Sequence, residues 1–320
     1  MGELYGRVMP SSKKQVNEKT EVLKKQIQTV RNHVGTVEKK ISSLEKEEKS
    51  ARSEFKDEFG HQRQELKNLE EKVKNIESCL AKMEENFRNI DKQERAILRA
   101  SNEAVWAHVF HDAVCESSWL KKKEFFPGRW AAGYQLLYVL YRTLNELHPL
   151  SILELGLGQT TRMIGQYAAS EQKCRHWVVE HDEEWIDMFC REFQLNNNSE
   201  IVKLDIGKKI FNNTEPTTVY LGFQEKFKGM KFDLISIDAP FGGNNLTYSR
   251  MDTLQLLPEC LNEDFVILLD DYNREAERNM IEIMKKILKN NNIGFCTSVY
   301  RGNKDTFMIT SESLKFLCTM

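Results

Sequence analysis

The chain has 320 residues, 40% of them hydrophobic, and a formal net charge of −2. That length and apolar content allow one sizeable core and something besides, and the near-neutral charge lacks the basic footprint of a nucleic-acid binder, so no nucleic-acid partner is expected. No N-terminal apolar run and no apolar stretch of roughly 20 residues occurs, so neither a signal peptide nor a membrane span is expected. Cys79, Cys115, Cys174, Cys190, Cys260, Cys296 and Cys318 form no CxxC pair, the pattern of reduced thiols in a cytoplasmic protein.

Residues 1–15 read as a flexible N-terminus and residues 16–100 as a coiled coil. One apolar run is Leu23, Ile27, Val30, Val34, Val37, Ile41 and Leu44. A second runs through Phe59, Leu66, Leu69, Val73, Ile76, Leu80, Met83, Phe87, Ile90 and Ile97. A spacing of three and four sustained this long is a coiled-coil seam. At 1.5 Å per residue a single helix would reach on the order of 110 Å. It cannot bury such a stripe alone, so a homo-oligomer through the coiled coil is expected. The other outcome is an antiparallel hairpin within one chain. Two successive spacings of four at Ala51, Phe55 and Phe59 form a stutter near the middle, with Gly60 beside it.

Residues 101–147 form a helical connector rich in aromatics, divided by Pro127-Gly128, with its second half expected to pack on a sheet. The remainder, 148–320, opens with the stretch Ile152-Leu-Glu-Leu-Gly-Leu-Gly-Gln-Thr-Thr161. A buried strand, a tight glycine turn and a helix N-terminus follow one another there, the layout that brings a nucleotide-like ligand to the backbone. The third glycine of the dinucleotide fingerprint would fall at Thr161, which disfavours a pyrophosphate. Glu154, two residues before Gly156, suits a ligand carrying an ammonium. A second strand, His176-Trp-Val-Val-Glu180, ends in an acid placed to accept from ribose hydroxyls. The segment resembles motif I of class I S-adenosylmethionine-dependent methyltransferases. The resemblance implies S-adenosylmethionine as cofactor, held by Glu154, Gly156, Gly158, Gln159, Thr160, Glu180 and Asp205.

Further strands are expected at 200–205, 232–238 and 265–270. A helix carrying Leu254, Leu256, Leu257 and Leu261 lies before the last of these, and a helix over 274–289 after it. Strands at 294–300 and 306–310, joined by the short turn Arg301-Gly-Asn-Lys304, form an antiparallel pair. The fold class is therefore α/β: a doubly wound, Rossmann-like methyltransferase sheet with an antiparallel C-terminal hairpin, preceded by a long α-helical coiled coil.

Asp238, Asp270 and Asp271 fall at the carboxyl ends of two strands, where ligands of such sheets bind. Carboxylates there suit a hard cation such as Mg²⁺ or Mn²⁺, although Asp270 or Asp271 could instead cap the following helix. The pattern resembles the metal site of cation-dependent catechol-type O-methyltransferases. That family has asparagine at the Asp271 position and a lysine base where this chain has Phe241. Over the whole domain the strings Gly156-Leu-Gly-Gln159, Asp233-Leu-Ile-Ser-Ile-Asp-Ala-Pro-Phe-Gly242, Arg250-Met251 and Asp270-Asp-Tyr-Asn-Arg-Glu-Ala-Glu277 are similar to polysaccharide O-methyltransferases. These are the plant glucuronoxylan enzymes, which carry histidine at the Asp270 position, and their bacterial surface-glycan relatives. The resemblance implies methylation of a hydroxyl on a glycan or sugar precursor, with Arg250 and Arg274 available for an acidic group on it. A sugar hydroxyl needs a base, and the candidates are Asp238, Asp271 and His181, of which Asp238 is favoured because it heads the loop facing the methyl. Three other readings compete: a dinucleotide oxidoreductase, a small-molecule or protein methyltransferase, and a coiled-coil scaffold with an inert domain.

Overall fold

The computed structural model describes residues 10–47, 55–128, 131–243 and 245–319. The chain divides into two compact units, Met1–Glu94 and Arg95–Met320.

In the first unit, helix α1 (Pro10–Glu47) and the opening part of helix α2 (Phe55–Val114) lie side by side. Arg31 pairs with Glu77, and Lys24 with Glu84 at 3.9 Å. Residue numbers rise on one helix as they fall on the other, so the helices are antiparallel. Val22, Leu23, Ile27 and Val30 face Leu69, Val73 and Ile76 across an open groove of about 560 Å³. The chain has folded back along its own seam, the second of the two outcomes the sequence allowed. Helix α1 begins at Pro10, inside the segment expected to be flexible, and proline suits this first position because its missing N–H has no helical partner there. The stutter residue Ala51 and residues 1–9 lie outside the described residues.

The second unit is built on a seven-stranded sheet. Its elements, in chain order, are α3 (Tyr134–Leu147), β1 (Ser151–Leu155), α4 (Gln159–Ser170), β2 (Arg175–Glu180), α5 (Glu183–Glu192), β3 (Ser199–Lys203), β4 (Ile206–Ile210), β5 (Pro216–Tyr220), α6 (Phe223–Phe227), β6 (Phe232–Ile237), β7 (Leu261–Leu269), α7 (Glu275–Asn290), β8 (Phe295–Arg301) and β9 (Asp305–Ser311). The strand order is β3-β2-β1-β6-β7-β9-β8. Five strands are parallel, and β9 lies antiparallel both to β7 and to β8. The chain turns from one half of the sheet to the other between β1 and β6, the switch point at which such sheets open a crevice.

Buried strands read as nearly continuous apolar runs because both faces are covered. On one face Ile152, Leu234, Val266 and Leu268 pack against α3, α4 and the end of α2, where Phe110 and Val114 are buried. On the other, Leu153, Leu155, Ile235 and Ile237 pack against α6 and α7. A polar chain crosses the first face. Glu154 Oε2 lies 2.9 Å from His176 Nε2, and His176 Nδ1 lies 3.1 Å from Ser199 Oγ.

Two expectations needed correction. Strands β4 and β5 form a separate antiparallel ribbon where no element was expected. The helix expected around Leu254–Leu261 is only a 3₁₀ turn, Asp252–Gln255. Pro258 lacks the N–H a helix would need, and Leu261 already starts β7.

A chain beginning at Arg95 should unfold in one cooperative transition by circular dichroism, with a melting temperature near that of the same unit in the full protein. A chain beginning at Glu116 loses Phe110 and Val114 from the core and should be less stable by about 3–5 kcal/mol.

Candidate functional site

A cleft of about 580 Å³ opens beyond the carboxyl ends of β1, β2, β6 and β7. Its floor is the turn after β1. Gly156 adopts φ +106°, and a Cβ there would meet the Ala239 Cβ at 3.1 Å, so only glycine fits. Gly158, Gln159 and Thr160 follow along the wall at the start of α4. Thr161, at the third-glycine position, accepts the Gly158 N–H on its hydroxyl at 2.9 Å. One amide that a phosphate would need is thereby occupied.

Glu180 closes the end of β2. Its Oε1 accepts the backbone N–H groups of His181 and Asp182 at 2.7 and 3.0 Å, and its Oε2 accepts that of Leu157 at 3.3 Å. The carboxylate is thus fixed in orientation and still borders the cleft. His181 Nδ1 sits 2.8 Å from Glu180, across β1 from the strand that carries Asp238, so it belongs to the Glu180 end and not with the acids. Trp185 stands beside it, its indole N–H donated to the Leu157 carbonyl at 2.7 Å, and Phe126 borders the same cleft.

At the other end Asp238, Arg250, Asp271, Arg274 and Lys304 line the cleft. Asp238, Asp270 and Asp271 converge, each offering an oxygen within 4.8 Å of the others. These oxygens are already met by cations. Arg250 Nη2 lies 3.0 Å from Asp238 Oδ1 and 2.7 Å from Asp271 Oδ2, while Nη1 donates to the Asp270 carbonyl at 2.9 Å. Lys304 Nζ lies 3.2 Å from Asp270 Oδ2 and 3.9 Å from Asp271 Oδ1. Thr306 donates to Asp270 Oδ1 at 3.3 Å. Arg274 adds a contact to Asp271 at 2.9 Å, and Glu277 lies beneath Arg250. A divalent cation among these oxygens would be flanked by a guanidinium and an ammonium. Mg²⁺ or Mn²⁺ does not fit this arrangement.

Two residues of the network, Arg250 and Asp271, hold φ of +53° and +60°. Left-handed backbone at non-glycine residues costs on the order of 1 kcal/mol each and marks places the surroundings over-determine. Burial, and next the Asp270 charge, push the Asp238 carboxyl up to about 7. Burial works against the Arg250 charge, but Asp238, Asp271 and Glu277 outweigh it and raise the guanidinium above its ordinary value. Burial opposes the Lys304 charge in the same way, and Asp238, Asp270 and Asp271 outweigh it.

Gly156, Gly158, Gln159, Thr160, Glu180, His181, Asp238, Asp271, Arg250 and Arg274 thus line one cleft. Three others do not line the cleft. Glu154 is buried within β1 and taken by His176; Asp205 is exposed past β3 at the start of the unexpected ribbon; Asp270 lies behind Lys304. Arg250 borders the cleft but is fully buried and paired internally, so it is not a free partner for an acidic substrate group. Arg274, about one-third exposed, retains that capacity. Lys304 and Trp185 were missed. For Lys304 a signal existed: an antiparallel strand beside β7 must begin where β7 ends, so the turn ahead of it had to arrive at Asp270.

Neither a protein-family model nor a curated protein matches the chain. Among solved structures it is similar to the O-methyltransferase of Bacillus cereus in complex with SAH (16% identity, 66% of this chain and 91% of that one, TM-score 0.39). It is also similar to the O-methyltransferase TomG of Streptomyces achromogenes in complex with SAM (14% identity, 65% and 97%, TM-score 0.41). A proposed O-methyltransferase of Klebsiella pneumoniae gives 12% identity, 68% and 98% coverage and a TM-score of 0.44. Likeness at this level carries no argument about the reaction.

Replacing Arg250 by Met should destabilise the second unit by about 3–5 kcal/mol in urea denaturation, because it strands buried carboxylates. Replacing the part-exposed Arg274 by Ala should cost under about 1 kcal/mol.

Proposed function

We propose that the protein is an S-adenosylmethionine-dependent O-methyltransferase acting on a hydroxyl of a surface polysaccharide or its sugar precursor. The observation that carries this reading is a single cleft with a glycine floor and a fixed Glu180 at one end, and Asp238 with its raised carboxyl at the other. The occupied Gly158 amide favours a nucleoside over a dinucleotide. The sugar acceptor rests on the similarity of the Asp233–Gly242 and Asp270–Glu277 strings to polysaccharide O-methyltransferases, and on Arg274 facing the cleft.

In this reading Glu180 holds the ribose hydroxyls, Gly156 and Gly158 let the ligand approach the backbone, and Trp185 walls that end. When bound, S-adenosylmethionine supplies a methyl carbon made electrophilic by its sulfonium. Asp238 would take the proton of the acceptor hydroxyl, freeing its oxygen to accept the methyl group. Alignment of the hydroxyl by the walls of the cleft accounts for most of the remaining acceleration. Divalent-cation assistance, expected from the three acids, is left out because their oxygens are engaged by Arg250 and Lys304. The helical unit, whose Val22, Leu69, Ile76 and Met83 stay exposed, is read as the part that joins copies of the chain in a cytoplasmic homo-oligomer.

Calorimetric titration should show S-adenosylhomocysteine binding and no NAD binding; NAD binding without S-adenosylhomocysteine would end this reading. With labelled methyl donor and a panel of neutral and acidic polysaccharides, kcat/KM should rise with pH through about 7, because the base must be ionised and its carboxyl is protonated below that point. Asp238→Asn should remove this limb and lower the rate roughly 10²–10⁴-fold. Multi-angle light scattering should report more than one chain per particle for residues 1–320 and a monomer for 95–320.

A further inference from the structure

We propose that Arg250 and Lys304 form a built-in pair of cations at the position a divalent metal would take, with Lys304 the residue that keeps metal out of the cleft. This deepens the methyltransferase reading and rests on it for the meaning of the site, but the geometry stands independently of any substrate. Lys304 reaches Asp270 and Asp271 from the turn between β8 and β9, while Arg250 reaches Asp238 and Asp271 from the loop between β6 and β7. Asp271 is the shared acid, contacted by both. Four carboxylates (Asp238, Asp270, Asp271, Glu277) thus meet three cations (Arg250, Arg274, Lys304), so the cluster holds its charge balance nearly complete without an ion.

The two cations differ in how they are held. Arg250 is 2% exposed and makes bonds on both terminal nitrogens, so it serves as the fixed core of the cluster. Lys304 is 15% exposed and borders the cleft. An ammonium has three donors in a compact head, and hydrogen bonding to Asp270 leaves others turned to the cleft. Mg²⁺ and Mn²⁺ require several carboxylate or water oxygens at short range. Lys304 covers Asp270 Oδ2 and Asp271 Oδ1, while Asp270 Oδ1 takes the Thr306 hydroxyl and Asp271 Oδ2 is held by Arg250 and Arg274, so the departure of Lys304 opens one oxygen on each acid. Lys304 is therefore a positioning residue: it orients Asp270 and Asp271 and brings to the acceptor end of the cleft the positive charge that a metal would otherwise bring.

The test uses Mn²⁺ as the probe and the full-length chain. Electron paramagnetic resonance of free Mn²⁺ should be undiminished by wild-type protein at 1:1 stoichiometry up to about 1 mM ion, a range that weak oxygen sites reach. Lys304→Met should acquire one Mn²⁺ per chain at least tenfold tighter than any wild-type binding, and adding Asp270→Asn to it should abolish the gain. Lys304→Gln, with a melting curve beside it, repeats the measurement should the methionine variant fail to fold. One Mn²⁺ bound by wild type and lost in Asp270→Asn would overturn the proposal. Absence of binding in both wild type and the folded Lys304 variants would also overturn it, since Lys304 would not then be what excludes the ion. Titration of the same samples with S-adenosylhomocysteine separates the two readings: its failure to bind would sink the methyltransferase reading and leave the Mn²⁺ result to stand by itself.

Discussion

The bridge from Asp238 through Arg250 to Asp271 is the interaction on which the second unit's working end depends. It ties the end of β6 to the end of β7 with one buried guanidinium, at 3.0 and 2.7 Å. Parallel neighbouring strands bring their carboxyl ends to the same edge, so acids placed there are forced together and repel. Without a cation between them, burial would neutralise them or push them toward solvent. Arg250 and Asp271 both hold positive φ, so the bridge joins two residues in an unfavourable region of backbone space. Arg274 joins the same anchor through Asp271, at 2.9 Å.

The Glu180 end obeys a different logic. Its acid, Glu180, sits 2.8 Å from the part-exposed His181, and its order comes chiefly from backbone amides. Three N–H groups converge on one carboxylate, and Thr161 settles another at the start of α4. The cleft therefore combines a wall set by hydrogen bonds to main chain with a wall set by charge. A ligand spanning it meets a carboxylate anchored on main-chain amides at one end and a cluster of both charge signs at the other.

The sheet was legible because its strands are short apolar runs ended by acids or glycines. The Gly156 and Glu180 region followed from two spacings alone, and both residues line the cleft. What escaped has physical reasons. The ribbon carries the exposed Lys208 and Lys209 on β4 and the threonine pair Thr217 and Thr218 on β5 in place of an apolar run, so its pairing depends on the partner strand rather than on composition. The aspartates announced a metal because acids at adjacent strand ends bind cations, but a sequence does not show which cation reaches them. Arg250 was noticed and given to the substrate, whereas burial committed it to the protein. Lys304 looked like a turn residue. Only the antiparallel register of β9 against β7 places it beside Asp270.

Glu154 was read as a ligand of the cofactor, and the structure makes it half of a buried couple with His176, each at or near zero exposure. Its second oxygen has no partner in the described structure. Substituting either member alone leaves the other a polar group stranded between α4 and the sheet, with a penalty of a few kcal/mol. Joint replacement by apolar residues of matching shape would avoid that penalty. The two positions therefore act as one unit, and the effects of replacing them singly do not add up to the effect of replacing both.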